Sequence, residues 1–188
     1  MTRTSRTMLA LGALGGLLLS GGAFGQTMLK ASHQWPGGKG DVRDEMVQII
    51  AEEVEKAGVD LEVRVYPAAS LFKPTQQWDA MVDGQLDISA FPLDYASGRH
   101  PQFSATLMPG LVKNHEHAKR LNDSAFMEDI KKIVDEAGIM VLSDAWLAGG
   151  FATKGECVLE PDDAQGKVMR AAGLVSQRTD DSRSRPAV

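Results

Sequence analysis

The chain has 188 residues, of which 43% are hydrophobic and 24% are charged. These proportions are ordinary for a soluble globular protein and exclude collagen-like, coiled-coil and wholly disordered classes. With 25 acidic and 20 basic residues the formal net charge is −5, which makes nucleic acid a poor partner. The length allows one domain with a sizeable core, or two small lobes.

The first 25 residues differ in composition from the rest of the chain. A short basic stretch, "MTRTSRT", precedes the apolar run "MLALGALGGLLLSGGAF", and Ala23 and Gly25 are small residues in the positions required for cleavage. This pattern predicts a secretory signal peptide over residues 1–25, and a membrane anchor is the alternative. We therefore expect an exported, periplasmic protein.

The first elements of the mature chain alternate between strand and helix patterns. Met28–His33 predicts a strand, and Asp41–Lys56 carries apolar residues at helical spacing before Gly58, a typical helix stop. Leu61–Tyr66 alternates apolar and polar residues, as strands do. Pro74 then opens a second helix that closes near Gly84.

A short apolar strand, Leu86–Phe91, completes a βαβαβ order. This order, with connections of helix length, predicts a parallel sheet covered by helices. "PLDYASGRHPQF" then predicts a loop and "SATLMPGL" a short extended piece. Two further helices are predicted, a small one over His115–Leu121 and a longer one that Asp123 or Ser124 caps and Gly138 ends.

The last third of the chain contains shorter patterns. Ile139–Trp146 predicts another strand, "GGFAT" the start of one more, and Pro161-Asp162-Asp163 a short helical turn. "KVMRA", Lys167–Ala171, predicts a final strand. After Gly173 the sequence becomes polar and shows neither the helical nor the strand periodicity of apolar residues, so residues 174–188 predict a disordered tail.

Common enzyme signatures are absent, including nucleotide-binding glycine motifs and the G-x-S-x-G elbow. His115-Glu116-His117 resembles a metal cluster, but residues two apart on a helix point to different sides, so a solvated polar face is the better interpretation. We predict no metal and no cofactor.

A candidate ligand site is suggested by residues at or just beyond predicted strand ends, where open α/β sheets bind ligands. His33 ends the first strand, and aromatic residues are typical walls of ligand clefts. Arg170 lies in the last strand, and its guanidinium matches a carboxylate in bidentate fashion, although an exposed edge position is the ordinary explanation. The aromatic candidates are Trp35, Phe91, Tyr95 and Trp146, whereas Trp78 fits core packing better.

The mature chain resembles the DctP-like family, the periplasmic solute-binding proteins of TRAP transporters. The resemblance covers about Met28 to Gly173 and is carried by "VRVYPAASL", "MVDGQLDIS", "FSATLMPGL" and, most specifically, "TKGECVLEPDDAQGKVMR". It implies an α/β periplasmic-binding-protein-like fold, with the first lobe complete or nearly so and the second lobe only begun. It also implies that Arg170 ion-pairs with the carboxylate of a small organic acid, which the receptor delivers to membrane permease subunits.

Two departures from the family pattern are visible. Many members carry a second arginine where this chain has Gly150, which puts a second carboxylate clamp in doubt. The family fold has two α/β lobes and this chain turns polar near halfway, so a truncated or frameshifted product is expected, and a natural disordered tail on a half-size protein is the alternative. The predicted division is a signal peptide at 1–25, the N-terminal part of a two-lobed fold at 26–173, and a non-native tail at 174–188.

Three functional hypotheses follow. The first is a monomeric, non-enzymatic receptor for an organic acid, with Arg170 as the carboxylate partner and His33 and the four aromatic side chains around it. The second is an enzyme that uses His33 with Asp94 or another carboxylate as a general base, although no spacing demands it. The third is a non-functional truncated product.

Overall fold

The computed structural model describes residues 25–38, 40–108, 110–150, 152–167 and 170. Its centre is a three-stranded sheet of β1 (Thr27–His33), β2 (Leu61–Tyr66) and β3 (Ile88–Ala90), in the order β2-β1-β3. Both pairings are parallel, and β1 meets β3 through its carboxyl end, where His33 stands opposite Ala90. The predicted βαβαβ order and parallel sheet are confirmed.

Helix α1 (Val42–Ala57) joins β1 to β2. The Asp41 side chain caps its start by accepting a hydrogen bond from the Arg43 backbone N–H, and Gly58 ends it with φ of 62°. The predicted helix and its glycine stop are both confirmed. Because α1 follows a parallel strand, its first turn lies at the carboxyl edge of the sheet.

The connection from β2 to β3 contains a 3-10 helix, Pro74–Gln76, that leads into α2 (Gln77–Val82). Pro74 suits the first helical position because it lacks an N–H and has the required φ. Gly84, with φ of 68°, follows the helix end. The single helix predicted from Pro74 is thus a 3-10 turn followed by a short α-helix.

The region after β3 is more helical than its sequence predicts. Leu93–Ala96 and Pro101–Leu107 form 3-10 helices where we expected a loop and an extended piece. Local hydrogen bonds satisfy this backbone, including Tyr95 N–H to the Pro92 carbonyl, and the compact turns carry Phe103 into the interior, where it is fully buried. Burial of this aromatic side chain favours the tighter conformation.

Two helices complete the core. They are α3 (His115–Asn122) and α4 (Ala125–Glu136), and Ser124 caps α4 by accepting a hydrogen bond from Met127 N–H. The predictions for both helices are confirmed, as is the core position of Trp78, whose ring meets Phe103 edge to face at 5.1 Å. The buried core cluster is Trp78, Ala96, Phe103, Met127, Ile130 and Val134.

The strand predicted over Ile139–Trp146 is wrong, since these residues have no regular structure. Ile139, Val141 and Trp146 still pack against the core cluster, whereas Met140 and Leu142 are 71% and 63% exposed. A strand requires a hydrogen-bonded neighbour, and this segment has none within the described residues. An apolar run alone therefore does not establish that a segment pairs as a strand.

Other predictions near the carboxyl end have mixed outcomes. The predicted turn at Pro161 is a 3-10 helix, Pro161–Ala164, and is confirmed. The described residues of "GGFAT" form no strand, and neither do Lys167 and Arg170 of "KVMRA". The rest of "KVMRA", Phe151, nearly all of the predicted signal peptide and the predicted tail lie outside the described residues. No helix in the described part of the chain is long and apolar enough to cross a membrane.

Candidate ligand-binding site

Most of the candidate site residues follow the carboxyl ends of β1 and β3. His33 ends β1, Trp35 comes two residues later, and Phe91 follows β3 directly. Because β1 and β3 are neighbouring parallel strands, these ends meet at one edge of the sheet. Open parallel sheets bind their ligands at this edge, so the side chains there are the candidates for ligand contact.

Arg170 contacts one of the predicted aromatic residues although 75 residues separate them. Its Nη2 donates a hydrogen bond of 3.0 Å to the Tyr95 hydroxyl oxygen, and the rest of its side chain is exposed. A guanidinium has five N–H donors in a planar fork, so one bond to Tyr95 leaves donors for an anion. The structure thus brings Tyr95 and Arg170 together at an accessible surface.

His33 has a different environment, because it is fully buried and both ring nitrogens are engaged. Nε2 lies 2.9 Å from Asp44 Oδ1, and Nδ1 lies 3.2 Å from the backbone N–H of Trp35. Since Nδ1 accepts from that N–H, the hydrogen bonds assign the ring proton to Nε2, which donates to Asp44. This arrangement leaves no ring nitrogen for a ligand.

Asp44, in the first turn of α1, is the partner that ties His33 to the helix. Its Oδ2 accepts from the Gly38 backbone N–H at 3.0 Å, and its Oδ1 also accepts from Gln48 Nε2 at 3.2 Å. The pKa of Asp44 is lowered from its usual value, first by the Gly38 hydrogen bond and then by those of Gln48 and His33, against the effect of burial. Asp44 therefore holds β1, the following loop and α1 together as a carboxylate.

Trp35 is also held by its neighbours. Its ring stacks on His33, with 5.6 Å between the ring centroids and 26° between the planes. The guanidinium carbon of Arg43 lies 5.4 Å from the Trp35 ring centroid, and Arg43 is paired with Asp41 through Nε and Nη2. We define His33, Trp35, Asp41, Arg43 and Asp44 as the β1 cluster.

The loop after β2 supports the β1 cluster from the side. Backbone N–H groups of Ala68 and Ala69 donate to the carbonyl oxygens of Trp35 and His33, both at 2.8 Å. The two alanines have φ of 55° and 56°, a left-handed conformation that is costly for residues with a Cβ. Gly37 packs so closely that an added Cβ would lie 2.6 Å from Pro67 Cγ. The position of the Trp35 loop is thus determined by several contacts.

Phe91 and Trp146 both pack, half-buried, against the core cluster. Trp146 Nε1 donates a 2.6 Å hydrogen bond to Asn122 Oδ1 at the end of α3. The structure therefore produces two separate pairs from the six predicted site residues, namely His33 with Trp35 and Tyr95 with Arg170. Phe91 and Trp146 share the core cluster instead.

Two other sequence hypotheses can be compared with the structure. His33 pairs with Asp44 and not with Asp94, whose carboxylate is fully buried and has no hydrogen-bond partner within the described residues. Within the same residues, no three His, Cys, Asp or Glu side chains come together as metal ligands, so His115, Glu116 and His117 do not form such a group.

Two open clefts on the described surface share Trp78, Asp79 and Arg99. The larger has a volume of about 390 Å³ and lies around the ion pair between Arg99 and Asp79. The smaller, of about 270 Å³, reaches Tyr95. Neither cleft includes His33 or Trp35.

Three residues of the β1 cluster were not predicted from the sequence, namely Asp41, Arg43 and Asp44. A signal existed for Asp41, because an aspartate just before a helical pattern is a typical N-cap. For Asp44 the signal was weaker, since an acidic residue in the first turn of a helix is common and does not identify a buried partner 11 residues away.

Comparison with known proteins places the chain in a family. The model of the DctP family, bacterial extracellular solute-binding protein family 7, matches residues 32–181. A solute-binding protein of Albidiferax ferrireducens is 41% identical over 153 residues, which are 79% of this chain and 45% of that protein. This chain thus spans less than half the length of that relative.

Solved structures of solute-binding proteins are also similar to this chain. A TRAP periplasmic solute-binding protein of Rhodoferax ferrireducens with bound malonate is 41% identical, with a TM-score of 0.70 over 73% of this chain and 45% of that one. An extracytoplasmic solute receptor of Bordetella pertussis that binds pyroglutamic acid shares the fold, with a TM-score of 0.74 at 20% identity over 84% of this chain and 52% of that one.

These matches confirm the predicted α/β periplasmic-binding-protein fold, of which the chain covers the part expected for one lobe. The family consists of periplasmic solute-binding proteins, and not of enzymes, that take small organic acids and work with membrane permease components. The chain belongs to the DctP family of TRAP transporter solute-binding proteins.

Proposed function

We propose that this protein binds a small organic acid through an ion pair between Arg170 and the ligand carboxylate, beside Tyr95. The observation that supports this most is the hydrogen bond from Arg170 Nη2 to the Tyr95 hydroxyl oxygen. That bond orients the guanidinium while its remaining donors stay accessible. Hydrogen bonds to charged groups contribute about 1.5–3 kcal/mol each, so one oriented arginine is enough to define a carboxylate site.

The choice of ligand class is supported by the relatives. The Rhodoferax ferrireducens protein was solved with malonate, and a Sulfurospirillum deleyianum protein of the same kind was solved with succinate. Both molecules are short organic acids with two carboxylates. We extend this class to the present chain, with malonate as the first compound to test because its receptor is 41% identical.

The other predicted site residues have supporting roles in this proposal. His33 acts as a positioning residue, because its nitrogens hold the Trp35 backbone and Asp44. In this proposal Trp35 lies near the ligand at the β1 end of the sheet edge, Phe91 and Tyr95 lie near it at the β3 end, and Trp146 supports the core cluster. A ligand that enters at this edge contacts Arg170 and Tyr95 directly.

In the cell, we propose that residues 1–25 direct export to the periplasm and are removed. The receptor, a monomer that binds no nucleic acid, delivers its ligand to the membrane permease of a TRAP transporter. Residues 26–173 form the N-terminal part of a two-lobed receptor fold, and residues 174–188 are a tail outside it. These boundaries follow the composition changes at both ends of the chain.

Calorimetric titration of the chain with malonate, comparing the Arg170→Gln variant with the unsubstituted protein, tests the proposal. We expect Arg170→Gln to weaken malonate binding by roughly tenfold or more, because at least one charge-assisted hydrogen bond is lost. Its melting temperature without ligand should be unchanged, since Arg170 is exposed. Arg120→Gln, which removes an exposed arginine on α3, is the matched control and should bind normally. Equal affinity of Arg170→Gln and the unsubstituted protein would contradict the proposal.

A further inference from the structure

We propose that Asp94 and Ser97 form a buried binding site for a monovalent metal cation, for which Na⁺ is the test ion. The site lies on the buried face of the 3-10 helix Leu93–Ala96. It does not rest on the proposed function, because both side chains are buried and no organic acid takes part. We expected no metal from the sequence, since one aspartate and isolated serines form no ligand-spacing motif.

Asp94 has an unusual environment for a buried carboxylate. Its side chain is fully buried, and neither Oδ1 nor Oδ2 has a hydrogen-bond partner within the described residues. The other buried carboxylate in this part of the chain, Asp44, accepts hydrogen bonds from Gly38, Gln48 and His33. Buried charged groups in proteins are paired, hydrogen-bonded or bound to a metal. The Asp94 carboxylate therefore indicates a partner that is not part of the chain.

The arginines that contact this region bind other partners. Arg99 donates through Nε and Nη2 to the two carboxylate oxygens of Asp79, at 3.2 and 3.1 Å. Arg170 donates to the hydroxyl oxygen of Tyr95, the residue directly after Asp94. Neither arginine thus neutralises the Asp94 carboxylate, and a cation from solution is the remaining source of positive charge.

The backbone places a further oxygen beside the Asp94 carboxylate. The Ser97 N–H donates to the Asp94 carbonyl oxygen at 3.0 Å, which closes a 3-10 turn. Side chains three residues apart in such a turn lie one above the other, so the carboxylate and the Ser97 hydroxyl share one face. Ser97 is 5% exposed, and its Oγ has no partner within the described residues. Three oxygen atoms without partners therefore lie on the buried face of one turn.

The neighbouring element carries another hydroxyl of the same kind. The 3-10 helix Pro101–Leu107 packs against Leu93–Ala96. Within it, Ser104 is 6% exposed, and its Oγ also has no partner in the described part of the chain. The two packed 3-10 helices thus contain a group of buried oxygen atoms that the surrounding protein does not satisfy.

The chemistry of these oxygen atoms favours a monovalent cation. Carboxylate and hydroxyl oxygens suit hard metal ions, and one carboxylate balances one positive charge. Ca²⁺ sites usually supply several carboxylates, whereas no three His, Cys, Asp or Glu side chains come together among the described residues. Ordered water alone satisfies a hydroxyl but leaves the carboxylate charge unpaired in the protein interior.

Thermal melting of the unsubstituted chain in sodium chloride and in choline chloride, at the same ionic strength, tests the site. Choline is too large for a buried site, and equal ionic strength removes general salt screening. A ion that binds only the folded state raises the melting temperature as its concentration increases. We expect the chain to melt several degrees higher in sodium chloride, and its folded form to broaden the sodium-23 magnetic resonance line.

Asp94→Asn removes the charge and keeps the shape of the side chain. This variant should lose the difference between the two salts and the line broadening. Asp79→Asn is the matched control, because it neutralises an aspartate that is 48% exposed, and it should keep both effects. If Asp94→Asn does not fold, Ser97→Ala decides the question, since loss of one ligand should weaken Na⁺ binding several-fold.

The outcomes test the cation site separately from the proposed function. Equal melting temperatures in the two salts, without line broadening, would overturn the site and leave malonate binding untouched. A sodium effect that persists in Asp94→Asn, or that is unchanged in Ser97→Ala, would place the cation elsewhere and overturn the assignment. A sodium effect lost in Asp94→Asn and kept in Asp79→Asn supports the inference, whether or not the chain binds malonate.

Discussion

The β1 cluster and the contact between Tyr95 and Arg170 lie at neighbouring strand ends but have opposite physical character. In the β1 cluster, His33 is fully buried, and Asp44, which is 4% exposed, accepts hydrogen bonds from His33, Gly38 and Gln48. The contact between Tyr95 and Arg170 is one hydrogen bond at an exposed surface. The difference supports the proposed roles, in which His33 and Asp44 fix the geometry of the edge and the exposed Arg170 contacts the ligand.

The largest effect on stability should come from breaking the β1 cluster at Asp44. Asp44→Ala leaves the His33 ring and the Gly38 N–H without their acceptor in a buried place, so we expect a loss of about 3 kcal/mol in the free energy of unfolding. Chemical denaturation measures this loss. Asp79→Ala, which removes an exposed ion pair with Arg99, is the control and should change stability little. Similar stability of the two variants would show that the cluster is not structurally important.

A smaller effect on stability is expected where Gly37, in the loop after β1, packs against Pro67, in the loop after β2. Gly37→Ala places a Cβ about 2.6 Å from Pro67 Cγ, and the resulting shift should cost about 1–3 kcal/mol. Gly149→Ala is the matched control, because an added Cβ there has no heavy atom within 4 Å. A thermal melt of both variants tests this packing. If Gly37→Ala melts with the unsubstituted protein, the loop is looser than the contacts indicate.

The smallest of the expected effects is the change of stability with pH. The hydrogen bond from Arg43 lowers the pKa of Asp41 from 3.8 to about 2. A carboxyl group with a lower pKa in the folded state favours folding above its usual pKa, and this contribution is lost as the pH falls toward the folded value. We therefore expect the melting temperature to fall between about pH 4 and pH 2.

Asp41→Asn should make this decline shallower, because asparagine does not titrate. Melting temperatures recorded from pH 6 to pH 2 for both proteins provide the measurement. Asp44 contributes in the same direction, since its pKa is also lowered. Identical pH profiles for the variant and the unsubstituted protein would mean that Asp41 is not the titrating group.

The sequence predicted the sheet and its edge well because those features depend on local patterns. The alternation of β2 and the capped helical period of α1 are readable within a few residues. His33 and Trp35 were assigned correctly to a strand end for the same reason. The burial of His33 was not predicted, because it depends on Asp44, which lies 11 residues away on a different element.

The features that were not predicted correctly from the sequence also have physical causes. Ile139–Trp146 has a strand pattern but no hydrogen-bonded neighbour within the described residues, and no pattern inside a segment can supply one. The contact of Arg170 with Tyr95 joins positions 75 residues apart, a distance at which sequence periodicity carries no information. Chemistry identified both residues separately, but their proximity is a property of the fold.

The central claim is that Arg170 contacts the ligand whereas His33 has a structural role. Its most direct test is a nuclear magnetic resonance titration of the isotope-labelled chain with malonate, following the side-chain signals of Arg170, Tyr95 and His33. We predict that the Arg170 guanidinium and Tyr95 ring signals shift most, while the His33 ring nitrogens, both engaged inside the protein, change little. Large shifts at His33 with none at Arg170 would contradict the account, because they would make the buried cluster the ligand contact.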